Sequence, residues 1–394
     1  MAGPEVTMPR SATSATVVGG GIVGALASVA LANKGFAVQW FAPAEPTQRD
    51  DGAQARAYAI SPASMALLHS LGVTNESLDG ALQPVRRMEV FHLSPAARVD
   101  LAPPSSTDAL ATIVVHAQLL SLCERLAKAT AGVTRIETPL TLEEMDALCA
   151  KASGLVVAAD GARSMLRRRA GFLWSRRDYG QTAVVAAFAT ERPHEGVACQ
   201  WFGADNSSDG QILALLPLAD PQQVSMVFSL PNETAQSLLS QSPSEISKQV
   251  CAASQQRFGA LEMVSQPVAT PLVMTSLPQF VQGRMVLLGD AAHTVHPLAG
   301  YGLNLGLQDI EVLMQHLSGD DQRIARELAR YQRARTGSLR TVQWGLDGLH
   351  RLMSSNLPGV AGLRAWGMQA LQALPALRSQ MVAQAMSGGL RATV

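Results

Sequence analysis

Close to the N-terminus, Thr16-Val17-Val18 runs into Gly19-Gly20-Gly21-Ile22-Val23-Gly24 and then into the apolar stretch Ala25 to Lys34. This reads as a buried strand, a G-x-G-x-x-G turn and a helix. Gly19 permits the tight turn, Gly21 leaves room for a pyrophosphate, and Gly24 lets the helix pack closely on the strand. Phe36 to Phe41 follows as a second strand, completing a βαβ unit of the expected length and pointing to an α/β fold. The acidic residue that should end the second strand and hold an adenosine ribose falls at Ala42, and the nearest carboxylate is Glu45 in the loop beyond. Either Glu45 substitutes for it or nucleotide affinity is lowered.

A second stretch, Arg284 to Asp309 (RMVLLGDAAHTVHPLAGYGLNLGLQD), repeats the order of parts. Met285 to Leu288 is a short apolar strand that delivers one carboxylate, Asp290, to a sheet edge, where it can accept hydrogen bonds from ligand hydroxyls. Gly300 and Gly302 let the backbone approach a flat ring. A helix starting near Gly302 to Asn304 points its free N–H groups and positive dipole end at the same place, which suits an anion such as a reduced flavin. His293 and His296 form an H-x-x-H pair in the turn, but no third ligand stands at a familiar spacing, so no metal is expected.

Composition narrows the field. With 394 residues, the chain is long enough for two domains or one large domain with an insertion, and its 47% apolar content supplies a substantial core. Formal net charge is zero and the longest basic run is Arg167-Arg168-Arg169, so nucleic-acid binding has no electrostatic footprint. Cys123, Cys149, Cys199 and Cys251 form no C-x-x-C pair and read as reduced thiols in a cytoplasmic protein. Met1 to Ser14 is polar and carries two prolines, a flexible tail rather than a signal peptide. No uncharged apolar run reaches the length of a membrane span.

A third motif, Leu155-Val156-Val157-Ala158-Ala159-Asp160-Gly161-Ala162-Arg163-Ser164 with Arg167, completes the set. Together the three make the chain resemble the flavin-dependent aromatic hydroxylases of the para-hydroxybenzoate hydroxylase type, and within them the ubiquinone-biosynthesis hydroxylases, from about Ala15 to the C-terminus. Weaker support comes from Arg56 in Ala-Arg-Ala-Tyr-Ala-Ile-Ser, from Gly210 to Leu218, from Val224 to Leu230, and from Gly367-Met368 with Leu374-Pro375.

The resemblance implies an FAD-dependent monooxygenase that uses NAD(P)H and O2, through a flavin hydroperoxide, to hydroxylate an aromatic, prenylated quinone precursor. It places FAD against Gly19, Gly21, Ile22, Val23 and Gly24, with Glu45 from its loop. Arg56 and Gln118 would contact the pyrophosphate or ribityl chain, Asp160 the adenosine side, and Asp290 a ribityl hydroxyl. Backbone N–H groups of Gly302, Leu303 and Asn304 would face the flavin ring, and His296, Pro297, Gly300 and Tyr301 would border its reacting face. No residue is singled out as a catalytic acid or base. Other quinone-biosynthesis proteins and a peripheral contact with the inner membrane are implied as partners.

The implied organisation is a Rossmann-like FAD-binding domain interleaved with a β-sheet substrate domain, plus a helical C-terminal tail. The segments are a tail at 1–14, the FAD-binding domain at 15–175, the β-rich substrate domain at 176–275, a return to the first domain at 276–320, and a helical region at 321–394. Strand candidates in the insertion are Ala183 to Ala189, Gln211 to Leu216 and Val224 to Leu230. Apolar residues from Val360 to Met381 recur at near-helical spacing and offer a face for the chain's own body or for a membrane.

Departures from the family pattern cluster on the cofactor: Ala42, Gln54, Val115-His116-Ala117-Gln118 in place of a Glu-Asn-Arg type of sequence, and Tyr301 where a Gln usually stands. Two other readings therefore stay open. One is the same fold and flavin acting on another phenol or an alkene. The other is a non-enzymatic accessory subunit of a quinone-biosynthesis complex, in which a decayed flavin site survives. Among the remaining residues, Arg163 and Arg167 to Arg169 read as a solvated helix face, His116 as a surface or capping residue, and Trp201 and Phe202 as core.

Overall fold

The computed structural model describes residues 13–43, 55–78, 80–92, 98–105, 108–151, 153–203, 210–295, 301–354, 382–383 and 386. Leu155–Ala158 is apolar and buried at every position, the pattern of a strand covered on both faces, and it lies inside a six-stranded sheet. On one side of it come Ser14–Val18, Ala37–Phe41 and Val133–Ile136; on the other come Met285–Leu287 and the edge strand Val281–Gln282. Every neighbouring pair is parallel except the one at that edge. The helix Ile22–Asn33 buries Ile22 and Gly24 to Leu31 because it is wedged between the sheet and two other helices, His116–Ala129 and Tyr301–His316.

A second sheet, of eight strands, carries the insertion. The expected strands at 183–189, 211–216 and 224–230 fall on Ser175–Thr190, Ile212–Pro217 and Gln223–Pro231, which pair antiparallel. One face, with Val184, Phe188, Leu213 and Met226, packs on the helices Asn232–Leu239 and Pro243–Ala253. Arg87–His92 and Arg98–Leu101, from within the segment 15–175, form the far edge of this same sheet. Strand alternation accounts for their place: Phe91 stacks on Trp201 on one face, while Met88 and Val90 turn to the other.

Glu89, on the Phe91 side, is completely buried, and Arg257 grips both its oxygens at 2.8 and 3.0 Å while Arg98 and Arg87 approach at 3.0 and 3.1 Å. Burial alone would raise this carboxyl, but Arg257, then Arg98 and Arg87, hold it below the usual carboxylate range.

A small sheet of Ala57–Ile60, Ala111–Val115 and Leu82–Val85 joins the two bodies: Ile60 and Val114 belong to the first core, Val85 and Ile113 to a cluster with Ala187 and Ala198. Ile324–Ser354 is one long helix, the helical C-terminal region expected from the sequence, with Leu328 and Tyr331 in the first core. The stretch 355–381 lies outside the described residues.

Candidate active site

Ala37–Phe41, Ser14–Val18, Leu155–Ala158 and Met285–Leu287 run parallel and side by side, so Ala42, Gly19 to Gly24, Asp160 and Asp290 all meet along one carboxyl edge. Open α/β sheets bind their ligands there. Gly19 has φ +134°, and a Cβ on it would strike the Ala159 carbonyl; a Cβ on Gly24 would strike the carbonyl of Gly19. Both glycines serve the fold. Gly21 is different, with φ −76° and ψ 176° and no atom within 4 Å of where its Cβ would stand. It caps a helix that has no side-chain cap and no acidic residue in its first turn. The first N–H groups of that helix, those of Ile22 and Val23 among them, have no intrahelical acceptor and suit an anion. The Val23 side chain is turned inward, against Gly289 and 2.8 Å from where a Cβ on Gly306 would stand, so only its backbone is available at the helix start.

At the end of the second strand, Ala42 is fully buried beside Gly20. Trp40 Nε1 donates to the Gly19 carbonyl at 2.9 Å, and Arg135, 5.1 Å over the Trp40 ring, donates to the Ala42 carbonyl at 3.3 Å. Glu45 and Gln54 lie outside the described residues.

Asp160 Oδ2 accepts from the backbone N–H groups of Met165 (2.8 Å) and Leu166 (3.2 Å) and so caps the short helix Met165–Arg169. Its Oδ1 is buried with no hydrogen-bond partner among the described residues, an acceptor that a ligand hydroxyl would satisfy. Arg167 corrects the expectation of a solvated arginine face. It is 1% exposed, donates to the carbonyls of Ala291 (2.8 Å) and Ala162 (2.7 Å), and lies 4.7 Å over the Trp174 ring. The third motif is thereby tied to the turn that carries Asp290.

Asp290 is exposed, yet its carboxyl is lifted above the usual carboxylate range, burial being the main cause and His293 and Arg56 opposing it. An exposed carboxyl raised in this way at this edge is a candidate for a functional site. Nearby, the Arg56 guanidinium lies 5.2 Å over the Tyr58 ring, and Tyr58 Oη is 3.0 Å from His116 Nδ1, the two rings edge-on. Burial raises the Tyr58 phenol, with Arg56 opposing and Asp290 adding. Burial, then the charge of Arg56, brings His116 down to about 4. The structure thus corrects the expectation of a surface or capping His116. Gln118, two residues on, is exposed.

The return helix begins at Tyr301, one residue before the expected range. A Cβ on Gly302 would meet nothing within 4 Å, whereas Leu303 is buried. Asn304 does more than present a backbone N–H: its Oδ1 accepts from Ser61 N at 2.9 Å and its Nδ2 donates to the Ala59 carbonyl at 2.8 Å, pinning the strand that carries Tyr58. One turn deeper, Asp309 accepts from Gly289 N (2.9 Å), His293 Nε2 (2.7 Å) and Arg335 Nε (2.9 Å), so His293 is committed to this carboxylate. His296, Pro297, Gly300 and the Tyr301 side chain lie outside the described residues.

Phe202, Ile212 and Val90 of the second sheet pack with Val295, five residues past Asp290 in the return turn, and with Val342 of the long helix. Phe202 therefore belongs to an apolar wall, while Trp201 turns away and stacks on Phe91 at 5.2 Å. The residues present fit FAD: an open glycine at a helix N-terminus for the diphosphate, a half-satisfied Asp160, and a reachable Asp290.

A family model described as "FAD binding domain" matches residues 12–340. The chain is 29% identical to the 3-demethoxyubiquinol 3-hydroxylase of Escherichia coli (strain K12), over 96% of this chain and 100% of that protein. It is 28% identical to the ubiquinone hydroxylase UbiL of Rhodospirillum rubrum, over 98% and 92%. Among solved structures, HpxO of Klebsiella pneumoniae complexed with FAD and uric acid superposes with a TM-score of 0.73 at 20% identity, covering 95% of this chain and 97% of that one.

Proposed function

Because the chain belongs to the FAD binding domain family, we propose that it is an FAD-dependent monooxygenase that hydroxylates the aromatic ring of a ubiquinone precursor, using NAD(P)H and O2. One juxtaposition supports this most: Gly21, Asp160 and Asp290 on a single carboxyl edge, with the apolar wall of Phe202 and Ile212 packed on Val295 of the return turn. The relatives named as ubiquinone-pathway hydroxylases match nearly end to end.

When bound and reduced by NAD(P)H, FAD supplies the electrons and the oxygen activation. The protein binds, orients and excludes water. The N–H groups at Gly21 to Val23 and the Arg56 guanidinium hold the diphosphate. Asp160 Oδ1 accepts a hydroxyl on the adenosine side and Asp290 a ribityl hydroxyl. The bare Cα of Gly302 lets the start of its helix approach the ring. Phe202, Ile212, Val295 and Val342 keep the reacting face dry and suit a prenylated ring. Titration with FAD, followed by measurement of precursor-dependent NAD(P)H oxidation and product mass, tests this reading. The expected product is heavier by one oxygen atom and restores quinone synthesis in a hydroxylase-deficient bacterial strain. A folded protein that binds no FAD at micromolar concentration would leave the accessory-subunit reading in its place.

No helix among the described residues is long and apolar enough to cross a membrane. A prenylated substrate partitions into the bilayer, so the proposed location is peripheral on the inner membrane, with residues 360–381, apolar in sequence, as the contact. Contact with other quinone-biosynthesis proteins is the alternative route to the substrate. The protein should sediment with lipid vesicles and lose that binding on truncation after Gly359. Full-length protein that stays in the supernatant rules the contact out.

A further inference from the structure

Arg56, Tyr58 and His116 make a closed ring of contacts beside Asp290. The Arg56 guanidinium lies 5.2 Å over the Tyr58 face, Tyr58 Oη meets His116 Nδ1 at 3.0 Å, and the His116 backbone N–H donates to the Arg56 carbonyl at 2.8 Å. The strand beneath is held from its other side by Asn304. Packing alone does not call for a phenol and an imidazole here, since apolar side chains would fill the space at a lower desolvation cost. Resting on the FAD assignment above, we infer that Tyr58 and His116 are positioning residues that fix Arg56 as the cation for the FAD diphosphate.

The protonation states agree with the geometry. Burial keeps the Tyr58 proton in place, and burial with Arg56 leaves His116 neutral at pH 7. Both partners are thus neutral and one proton lies between them: Tyr58 Oη–H donates when the imidazole proton is on Nε2, and Nδ1–H donates to the phenol oxygen when it is on Nδ1. The pair adds no charge of its own, and among the described residues the charges that bear on Tyr58 are the Arg56 cation and the Asp290 carboxylate. An arginine ordered before its ligand arrives gives up less side-chain freedom on binding, and that difference appears as affinity.

The test is the FAD dissociation constant, read by fluorescence quenching, for wild type, Tyr58→Phe, His116→Ala and His116→Gln, each repeated in an Arg56→Met background. Melting temperatures of the FAD-free proteins are measured alongside. Tyr58→Phe and His116→Ala should each weaken FAD about tenfold, the loss of one well-placed interaction. The double variant should be no weaker than either single one, because the two act as a unit. His116→Gln keeps an acceptor and should recover most of the loss. With Arg56→Met, none of these changes should matter. Unchanged affinity in the singles, or losses that persist without Arg56, would overturn the inference while leaving the FAD assignment intact. A wild type that binds no FAD would overturn that assignment and this inference with it.

Discussion

Asp309→Asn should cost about 3–5 kcal/mol of stability, the penalty for removing one partner of a buried ion pair, and should loosen FAD in the same step. Asp309 is completely buried on the Tyr301–His316 helix, and its partners come from two other segments: Gly289 and His293 from the return turn, Arg335 from the long C-terminal helix. Arg335 has only 3% of its side chain exposed, so an uncharged asparagine leaves a guanidinium in the interior without a counter-charge. Burial alone would raise the Asp309 carboxyl, but His293 and Arg335 outweigh it and hold it below the ordinary range.

A carboxylate depressed in the folded state contributes fully above its unfolded value, about 3.9, and loses that contribution as pH falls through the folded value. Wild type should therefore shed this stability only below about pH 4, and the variant should lack that acid limb. Because Gly289 and His293 flank Asp290, the loss should also blur the position of the carboxylate proposed for the ribityl chain. Urea denaturation of the FAD-free protein across pH measures the first effect and FAD titration the second. An Asp309→Asn protein within about 1 kcal/mol of wild type would mean that Arg335 finds water or another acceptor, and the account of this cluster would fall.

What the sequence disclosed, and what it hid, follows from the range of the interactions. Gly19, Gly21 and Gly24 are legible because a glycine's role is set by backbone a few residues away, and the structure adds only which of them face protein and which faces open space. Asp160 and Asp290 are legible because each follows a short apolar run that could only be a strand, and parallel neighbours bring such ends together. Arg167 is not. In a run of three arginines, periodicity reads a solvated face, and only the Trp174 ring and the Ala291 carbonyl, supplied by the fold, show that this one is inside. Tyr58 and His116 meet because Ala57 pairs with Val115 across two antiparallel strands, a register that no local pattern announces. Arg87–His92 joins the substrate sheet by a parallel pairing with Val197–Phe202, equally silent in the sequence. Asp309 offered one clue, a lone carboxylate between Leu307 and Ile310 on the apolar side of a helix, both of them fully buried. Its partner Arg335 could not be chosen from the sequence among the many arginines of the last helix.

Gly21→Val and Gly24→Ala should fail in opposite ways, and the smaller substitution should do more damage to the fold. Gly24 admits no Cβ, since that atom would strike the Gly19 carbonyl and force the Ile22–Asn33 helix off the strand it covers. Overpacking costs about 1–3 kcal/mol, and against backbone, where no side chain can move aside, the upper end applies. Gly24→Ala should consequently unfold at markedly lower temperature, or fail to accumulate, with or without FAD. Gly21 has an extended conformation open to any residue and no atom within 4 Å of its missing Cβ. Gly21→Val loses a favourable N-cap, which is worth about 1 kcal/mol at most, and should otherwise fold as wild type does. Its branched side chain, however, stands where the diphosphate must meet the helix N-terminus, and FAD affinity should fall about a hundredfold, close to 2.7 kcal/mol. Melting temperature and FAD titration on the same preparations separate the two. Wild-type FAD affinity in a folded Gly21→Val protein would move the diphosphate away from this helix, and Arg56 would then have to be read without it.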